Sequence, residues 1–419
     1  MLKILVVGSG GREHALCKKL LQSPRVATVF CAQGNPGMSR DGITCVDIAE
    51  LAFADLITFC QKEAIDFTIV GPELPLSRGI VDTFRAAGLA IFGPTKEAAQ
   101  LEASKSFAKE LMAKYNIPTA KFKTFTDYHF ALNYVEQQGL PIVLKEDGLA
   151  SGKGVLIAET LSEAQQFLEK HLVTCEGKVV IEEFLVGEEC SLLAFVSETG
   201  IYPMLTARDH KPLYDGNHGP NTGGMGAYSP IPELDKAAQA EIVQHIVEPT
   251  VLAMASEGIP FTGILYTGLI LTETGAKVIE YNARFGDPEA QVLLQQLDSD
   301  LASVIEALLQ QKEPNIIWNE NEVTLGVVVA NANYPQNCSD SIKLSPLIIE
   351  DDAMAIFYSG VCEEEGELYS KGGRIFMVSA TKPTLLEARE TVYDWLQQQN
   401  LAGFYYRHDL GLLSLETIQ

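Results

Sequence analysis

The chain has 419 residues, 47% hydrophobic and 21% charged, more than one core usually supports, so roughly two to four domains are predicted and extended disorder is excluded. A formal net charge of −24 argues against nucleic acid or an anionic membrane as partner, since both reward a basic face. Phosphorylated small molecules stay open: with a Debye length of about 8 Å at physiological salt, a pocket's own lysines outweigh distant surface carboxylates. Eight cysteines without a C-x-x-C pair or paired-histidine spacing predict reduced thiols and no zinc site, and the apolar run Ile4–Val7 is too short for an export signal or a membrane span. A cytoplasmic protein, most simply a monomer, is expected.

In chain order, residues 2–7 read as a buried strand, and Gly8-Ser-Gly-Gly-Arg-Glu-His14 turns into a helix carrying Leu16, Leu20 and Leu21. Such a turn favours a phosphate. Glu13 stands where a dinucleotide fingerprint needs its third glycine, so no nicotinamide cofactor is expected, and either a lone phosphate monoester or a turn without ligand is. Strands at 26–31, 66–70 and 89–92 alternate with helices at 49–63 and 76–87, the pattern of a parallel sheet with its function at the carboxyl ends of the strands. Gly71, Pro72 and Glu73 lie at one such end. They read equally well as contacts to substrate or as a solvated turn.

A helix carries Leu101, Phe107, Leu111 and Met112 on its apolar stripe with Lys105 off it, and ends before Pro118. A small α+β unit follows, with strands at 121–125, 142–145, 155–157 and 179–182 and helices at 128–138 and 162–171. Two of its strands flank Lys145-Glu-Asp-Gly-Leu-Ala-Ser-Gly-Lys-Gly154, whose glycines and two lysines suit a polyphosphate. The spacing and the following strand are wrong for a Walker loop, and an ordinary hairpin has similar letters. Residues 179–191 read as two strands joined by a glycine turn, whose apolar residues beside carboxylates can hold an adenine and its ribose, or simply form a hairpin. Residues 207–212 and 219–230 read as a long Gly/Pro loop, and 235–256 as a helix bent near Pro249.

In Glu280-Tyr-Asn-Ala-Arg284, strand alternation places Glu280, Asn282 and Arg284 on one face. Two oxygen ligands beside a guanidinium suit a hard cation facing a polyphosphate; a surface salt bridge is the plain rival. The last unit reads as α+β, with strands at 323–330, 353–359 and 374–380 and a helix at 385–399. Arg374, Arg407, His408 and Asp409 are expected to form a structural salt-bridge network, with closure of the site as the alternative.

Taken together, Gly8–Ala15, Gly71–Leu76, Ser104-Lys105, Asp147–Val155, Glu182–Leu185, Gly219–Pro230 and Asn282–Glu289 resemble the ATP-grasp enzymes and, within them, the glycinamide ribonucleotide synthetase family. The resemblance spans nearly the whole chain. It implies a multidomain α/β and α+β fold: a Rossmann-like substrate domain at 1–103, an ATP-grasp lid with the glycine-rich loop at 104–191, a metal and catalytic subdomain at 192–324, and a small α+β C-terminal domain at 325–419. It further implies ATP-dependent joining of glycine to phosphoribosylamine through glycyl phosphate, with ATP and Mg²⁺ or Mn²⁺. By that resemblance, Lys105, Lys145, Gly152, Lys153, Gly154, Glu182, Glu183, Phe184, Leu185 and Glu189 hold the nucleotide, and Glu280 and Asn282 hold the metal. Arg284, Asp209 and Lys153 act in catalysis. Gly8, Gly10, Gly11, Arg12, Glu13, Pro72, Glu73, Arg208, Asn221, Gly223, Gly224 and Met225 meet the substrates.

Three positions differ from the family's usual pattern: Glu146 after Lys145, Pro212 in place of an arginine, and Asn217 in place of an aspartate. Two rival functions stay open on the letters alone, another ATP-grasp carboxylate–amine ligase and a nucleotide-binding regulator without turnover.

Overall fold

The computed structural model describes residues 1–149, 154–336, 341–412 and 414–415. Its N-terminal sheet is parallel, with strands in the order Thr44–Val46, Val26–Gln33, Leu2–Gly8, Phe67–Val70 and Ile91–Phe92. The first strand is buried on both faces. Leu5 and Val7 pack with Leu56, Val81 and Phe84 on one side, while Ile4 and Val6 meet Leu16, Phe195 and Ile305 on the other. Alternation along one strand therefore welds this unit to the rest of the chain. The helix expected at 76–87 is two, Glu73–Ser77 and Ile80–Ala86, because Gly79 between them takes φ +85°.

A four-stranded antiparallel sheet, ordered Phe122–Phe125, Val179–Glu183, Ile142–Glu146 and Val155–Ala158, carries helices Tyr128–Gln138 and Leu161–Leu168 over its own core of Leu144, Ile181, Val135 and Leu168. Glu146 points away from Lys145 toward His171, 3.4 Å off, as alternation requires.

The remainder is built on one nine-stranded sheet running from Gly275–Asn282 through Gly263–Thr272, Glu188–Ser197, Gly200–Asp209, Gly226–Ser229, Val323–Asn331 and Arg374–Lys382 to Met354–Tyr358, with Phe404–Tyr405 pairing beside Val323–Asn331. The stretch read as a Gly/Pro loop is structured. His218–Asn221 pairs with Pro212–Tyr214, and Gly226–Ser229 is an interior strand. Gly226 is glycine because a Cβ there would overlap the Gly326 carbonyl and Leu410, so close strand approach, not looseness, explains it. The helix at 235–256 accommodates Pro249 by a π turn, Val243–Val247, between Lys236–Ile242 and Glu248–Ser256.

Candidate active site

Helix Lys105–Lys114, capped by the Ser104 hydroxyl, presents Lys105 and Lys109 one turn apart on one side. That side faces a cavity of about 410 Å³ bounded by the N-terminal sheet, the four-stranded sheet and the edge of the nine-stranded one. Lys105 Nζ donates to the Gly148 carbonyl at 2.7 Å. Lys145 reaches in from the four-stranded sheet and donates to the Ile279 carbonyl at 3.0 Å. Both Lys145 and Lys109 flank the buried Glu182 carboxylate, at 3.0 and 2.7 Å. Burial lowers the affinity of Lys105 for its proton, and it pulls Lys109 down to about 8 against the attraction of Glu182.

Opposite the lysines, Glu280, Asn282 and Arg284 all line the cavity from the strand Gly275–Asn282 and the residues just after it. Burial pushes the Glu280 carboxyl up, but Lys211, Lys145, Lys105 and Arg284 around it outweigh burial and hold it below the usual range. Asn282 makes no side-chain hydrogen bond among the described residues. Two hard oxygen donors, one ionised and one free, fit a divalent cation. No group of three or more His, Cys, Asp or Glu side chains suited to a metal occurs among the described residues, so the other ligands of a cation held there would have to be phosphate oxygens or water, as is usual for Mg²⁺. Asp209 faces the same space from the strand Gly200–Asp209. Burial, reinforced by Glu289, Glu189 and Glu280 and opposed by Lys211, pushes its carboxyl up to about 7.

The third wall belongs to the N-terminal unit. Arg284 is gripped by Glu102 at 3.0 Å and Glu73 at 3.3 Å, and Glu102 also accepts the Ala283 N–H at 2.7 Å. Arg12 donates to the Phe285 carbonyl at 3.2 Å. The expected phosphate cradle is filled from within: Glu13 accepts the Gly10 N–H and the Arg12 Nε, each at 2.6 Å, and its carboxylate occupies the crevice between Gly8 and Gly71. That is the physical reason a glutamate stands in place of the third glycine.

Family models for phosphoribosylglycinamide synthetase match most of the chain, the N domain at 2–102, the ATP-grasp (A) domain at 103–290 and the C domain at 324–413. The chain belongs to the phosphoribosylglycinamide synthetase family. Phosphoribosylamine–glycine ligase of Lactococcus lactis is 50% identical over 98% of this chain and 99% of its own, and that of Listeria monocytogenes serovar 1/2a is 49% identical with the same coverage. The crystal structure of the Thermotoga maritima phosphoribosylamine–glycine ligase superposes with a TM-score of 0.83 at 30% identity, covering 97% of this chain and 100% of that one.

Set in this family, the chain brings together Arg12, Pro72, Glu73, Lys105, Lys145, Gly154, Glu182, Asp209, Gly223, Glu280, Asn282 and Arg284 around one cavity. Gly152 and Lys153 lie outside the described residues. The other expected residues lie outside this cavity's lining. Gly8, Gly10, Gly11 and Glu13 pack the turn rather than line the cavity. Arg208 alternates with Asp209 and faces away, donating to Tyr228, Ser414 and the Glu189 carbonyl. Met225 is fully buried beside Leu213 and Ala330, Gly224 packs on Pro288, and Asn221 is exposed on its hairpin. Of residues 182–185 only Glu182 lines the cavity: Glu183 caps the Lys121 N–H, Phe184 is exposed and Leu185 half-buried. Glu189 is at the rim, 3.4 Å from Lys211.

Several lining residues escaped the sequence reading. Lys109 had a signal, the one-turn spacing from Lys105; Lys211 had one too, the two-residue spacing from Asp209. Glu102 and Tyr266 had none, since only the tertiary fold aims them here. Arg374 does close the site, donating to the Gly223 and Asp287 carbonyls at 2.6 and 3.0 Å and to the Asp287 carboxylate at 2.8 Å. Arg407 is structural: fully buried, it ties Asp409, Asn217 and the Pro212 carbonyl together. Pro212 and Asn217, two of the departures from the family pattern, thus share one structural knot.

Proposed function

We propose that this chain ligates glycine to 5-phosphoribosylamine, forming glycinamide ribonucleotide, ADP and phosphate by way of glycyl phosphate. The observation that carries the reading is the meeting, around one cavity, of three lysines from the helix and the small sheet, the Glu280–Asn282–Arg284 face, and Arg12 with Glu73 from the N-terminal unit. In this reading residues 104–191 and 192–324 form the nucleotide clamp, 1–103 the substrate domain, and 325–419 the unit that delivers Arg374.

Lys105 and Lys145 bind the triphosphate. Glu280 and Asn282 hold Mg²⁺ or Mn²⁺, which when bound supplies positive charge to the phosphate oxygens. A glycine carboxylate oxygen attacks the γ-phosphorus, the bond to the β-phosphate oxygen breaks, and ADP leaves. Arg284, fixed by Glu73, Glu102 and the Phe285 carbonyl, offers the N–H groups these leave free to the phosphoryl group in transfer. The amine nitrogen then forms the C–N bond, inorganic phosphate leaves, and the nitrogen's proton passes to a base; Asp209, whose carboxyl is raised toward neutrality, is suitably placed. Holding amine and acyl phosphate together can lower the barrier by as much as about 7 to 11 kcal/mol, and excluding water protects the acyl phosphate from hydrolysis.

Mixing the protein with ATP, Mg²⁺, glycine and freshly generated phosphoribosylamine should give glycinamide ribonucleotide by mass spectrometry. ADP release with another amino acid or amine, but not with this pair, would assign a different ligase.

A further inference from the structure

Lys109 is buried and takes no part in the proposed phosphate contacts, yet it contacts the same carboxylate as Lys145. Its ammonium lies 2.7 Å from Glu182 Oε2 and donates at 2.7 Å to the Thr119 hydroxyl, which in turn donates to the Val278 carbonyl. Glu182 is therefore seated against the body of the protein by Lys109. The other oxygen, Oε1, is 3.0 Å from Lys145 but receives no well-directed hydrogen bond from any group among the described residues, although it is fully buried. The hydrogen bond from Lys145 goes to the Ile279 carbonyl, beside the metal-binding face. Lys109 and Lys145 thus share the Glu182 carboxylate, with Glu280 the next carboxylate in the field of Lys145, and the cluster opens on the cavity.

We propose that Lys109 is a positioning residue: by engaging Glu182 it prevents that carboxylate from neutralising Lys145, which stays charged and directed at the nucleotide's phosphates. The inference rests on the ATP reading above. Burial lowers the proton affinity of Lys109 to about 8, against the attraction of Glu182, while the Thr119 hydroxyl and the Phe122 ring also touch its ammonium. Without Lys109, Glu182 has Lys145 as its sole cation, and an isolated buried pair closes on itself.

A double-mutant cycle tests this with ATP binding by calorimetry and kcat measured on the same samples. Lys109→Met should weaken ATP binding about tenfold while kcat at saturating ATP changes less than about threefold, the size expected for loss of one charge-assisted contact. Glu182→Gln leaves no carboxylate to capture Lys145, so adding Lys109→Met to it should change ATP affinity less than about twofold. Lys109→Arg should bind ATP as the unsubstituted protein does. If Lys109→Met does not fold, the comparison of Glu182→Gln with the double variant decides alone. A tenfold loss in both backgrounds, or a fall in kcat with ATP affinity intact, overturns the inference. Failure of the unsubstituted protein to bind ATP would instead overturn the proposed function.

Discussion

Glu280 is surrounded by Lys211, Lys145, Lys105 and Arg284, and their joint field, not its position in a strand, keeps its half-buried carboxylate ionised, as the proposed metal-ligand role requires. Glu280→Ala is expected to abolish ADP release that depends on both glycine and amine; near-normal turnover would remove the metal assignment. Arg284 has a different dependence, since Glu73 and Glu102 fix the plane of its guanidinium. Lysine cannot reproduce that fork. Arg284→Lys should therefore lower kcat about 100-fold or more while ATP affinity changes less than about threefold, as measured by steady-state kinetics beside calorimetry. At this scale the sequence was informative wherever two functional residues share one element. Lys105 with Lys109 and Glu280 with Asn282 are legible as spacings, whereas Glu102 meets Arg284 only because separate parts of the chain fold together.

The strand Gly226–Ser229 was invisible to periodicity because glycine and proline crowd its approach, and these residues ordinarily mark loops. Its glycine is a packing requirement: at φ +152° and against the Gly326 backbone, Gly226 has no room for a side chain. Gly226→Ala is expected to destabilise the protein by about 2 to 4 kcal/mol, read as a lower urea midpoint with an unchanged slope. The opposite case is the helix Tyr128–Gln138, where an Asp127 cap and Gly139 stop are both local and the boundaries follow from them. Alternation also succeeded in the small sheet, where Lys145 faces the cavity and Glu146 faces His171. The same alternation separates the cavity-facing Asp209 from the averted Arg208.

Across the whole molecule, the nine-stranded sheet pairs Gly226–Ser229 with Val323–Asn331 and so continues past residue 325, while the first strand shares its core with Phe195 and Ile305. The seam between the Pro212–Asn221 hairpin and the C-terminal segment is held by Arg407. Burial raises the Asp409 carboxyl, but hydrogen bonds from Arg407 and the Gly216 N–H prevail and hold it at about 2. Because this is below the unfolded value of about 3.9, the unfolded state binds more protons in between. The contribution, about 2 kcal/mol, is present above pH 4 and is lost as pH falls through 2. Asp409→Asn should be less stable than the unsubstituted protein at pH 7 by about that amount, and the difference should shrink to nothing near pH 2 in urea titrations. His210, at the same seam, adds to acid sensitivity: burial, with help from Arg407, lowers it to about 3, so its stabilisation is present above about pH 6.5 and declines as pH falls toward 3.

By itself the sequence determined the class of each unit, the family, and the residues whose chemistry lies within a few positions of one another, because hydrophobic periodicity, caps and alternation are local properties of the chain. The tertiary structure alone decided which carboxylate fixes Arg284, that Glu13 fills its own cradle, and that Arg374 closes the cavity while Arg407 does not. Those outcomes depend on distance and burial between segments remote in sequence, and no local pattern encodes them.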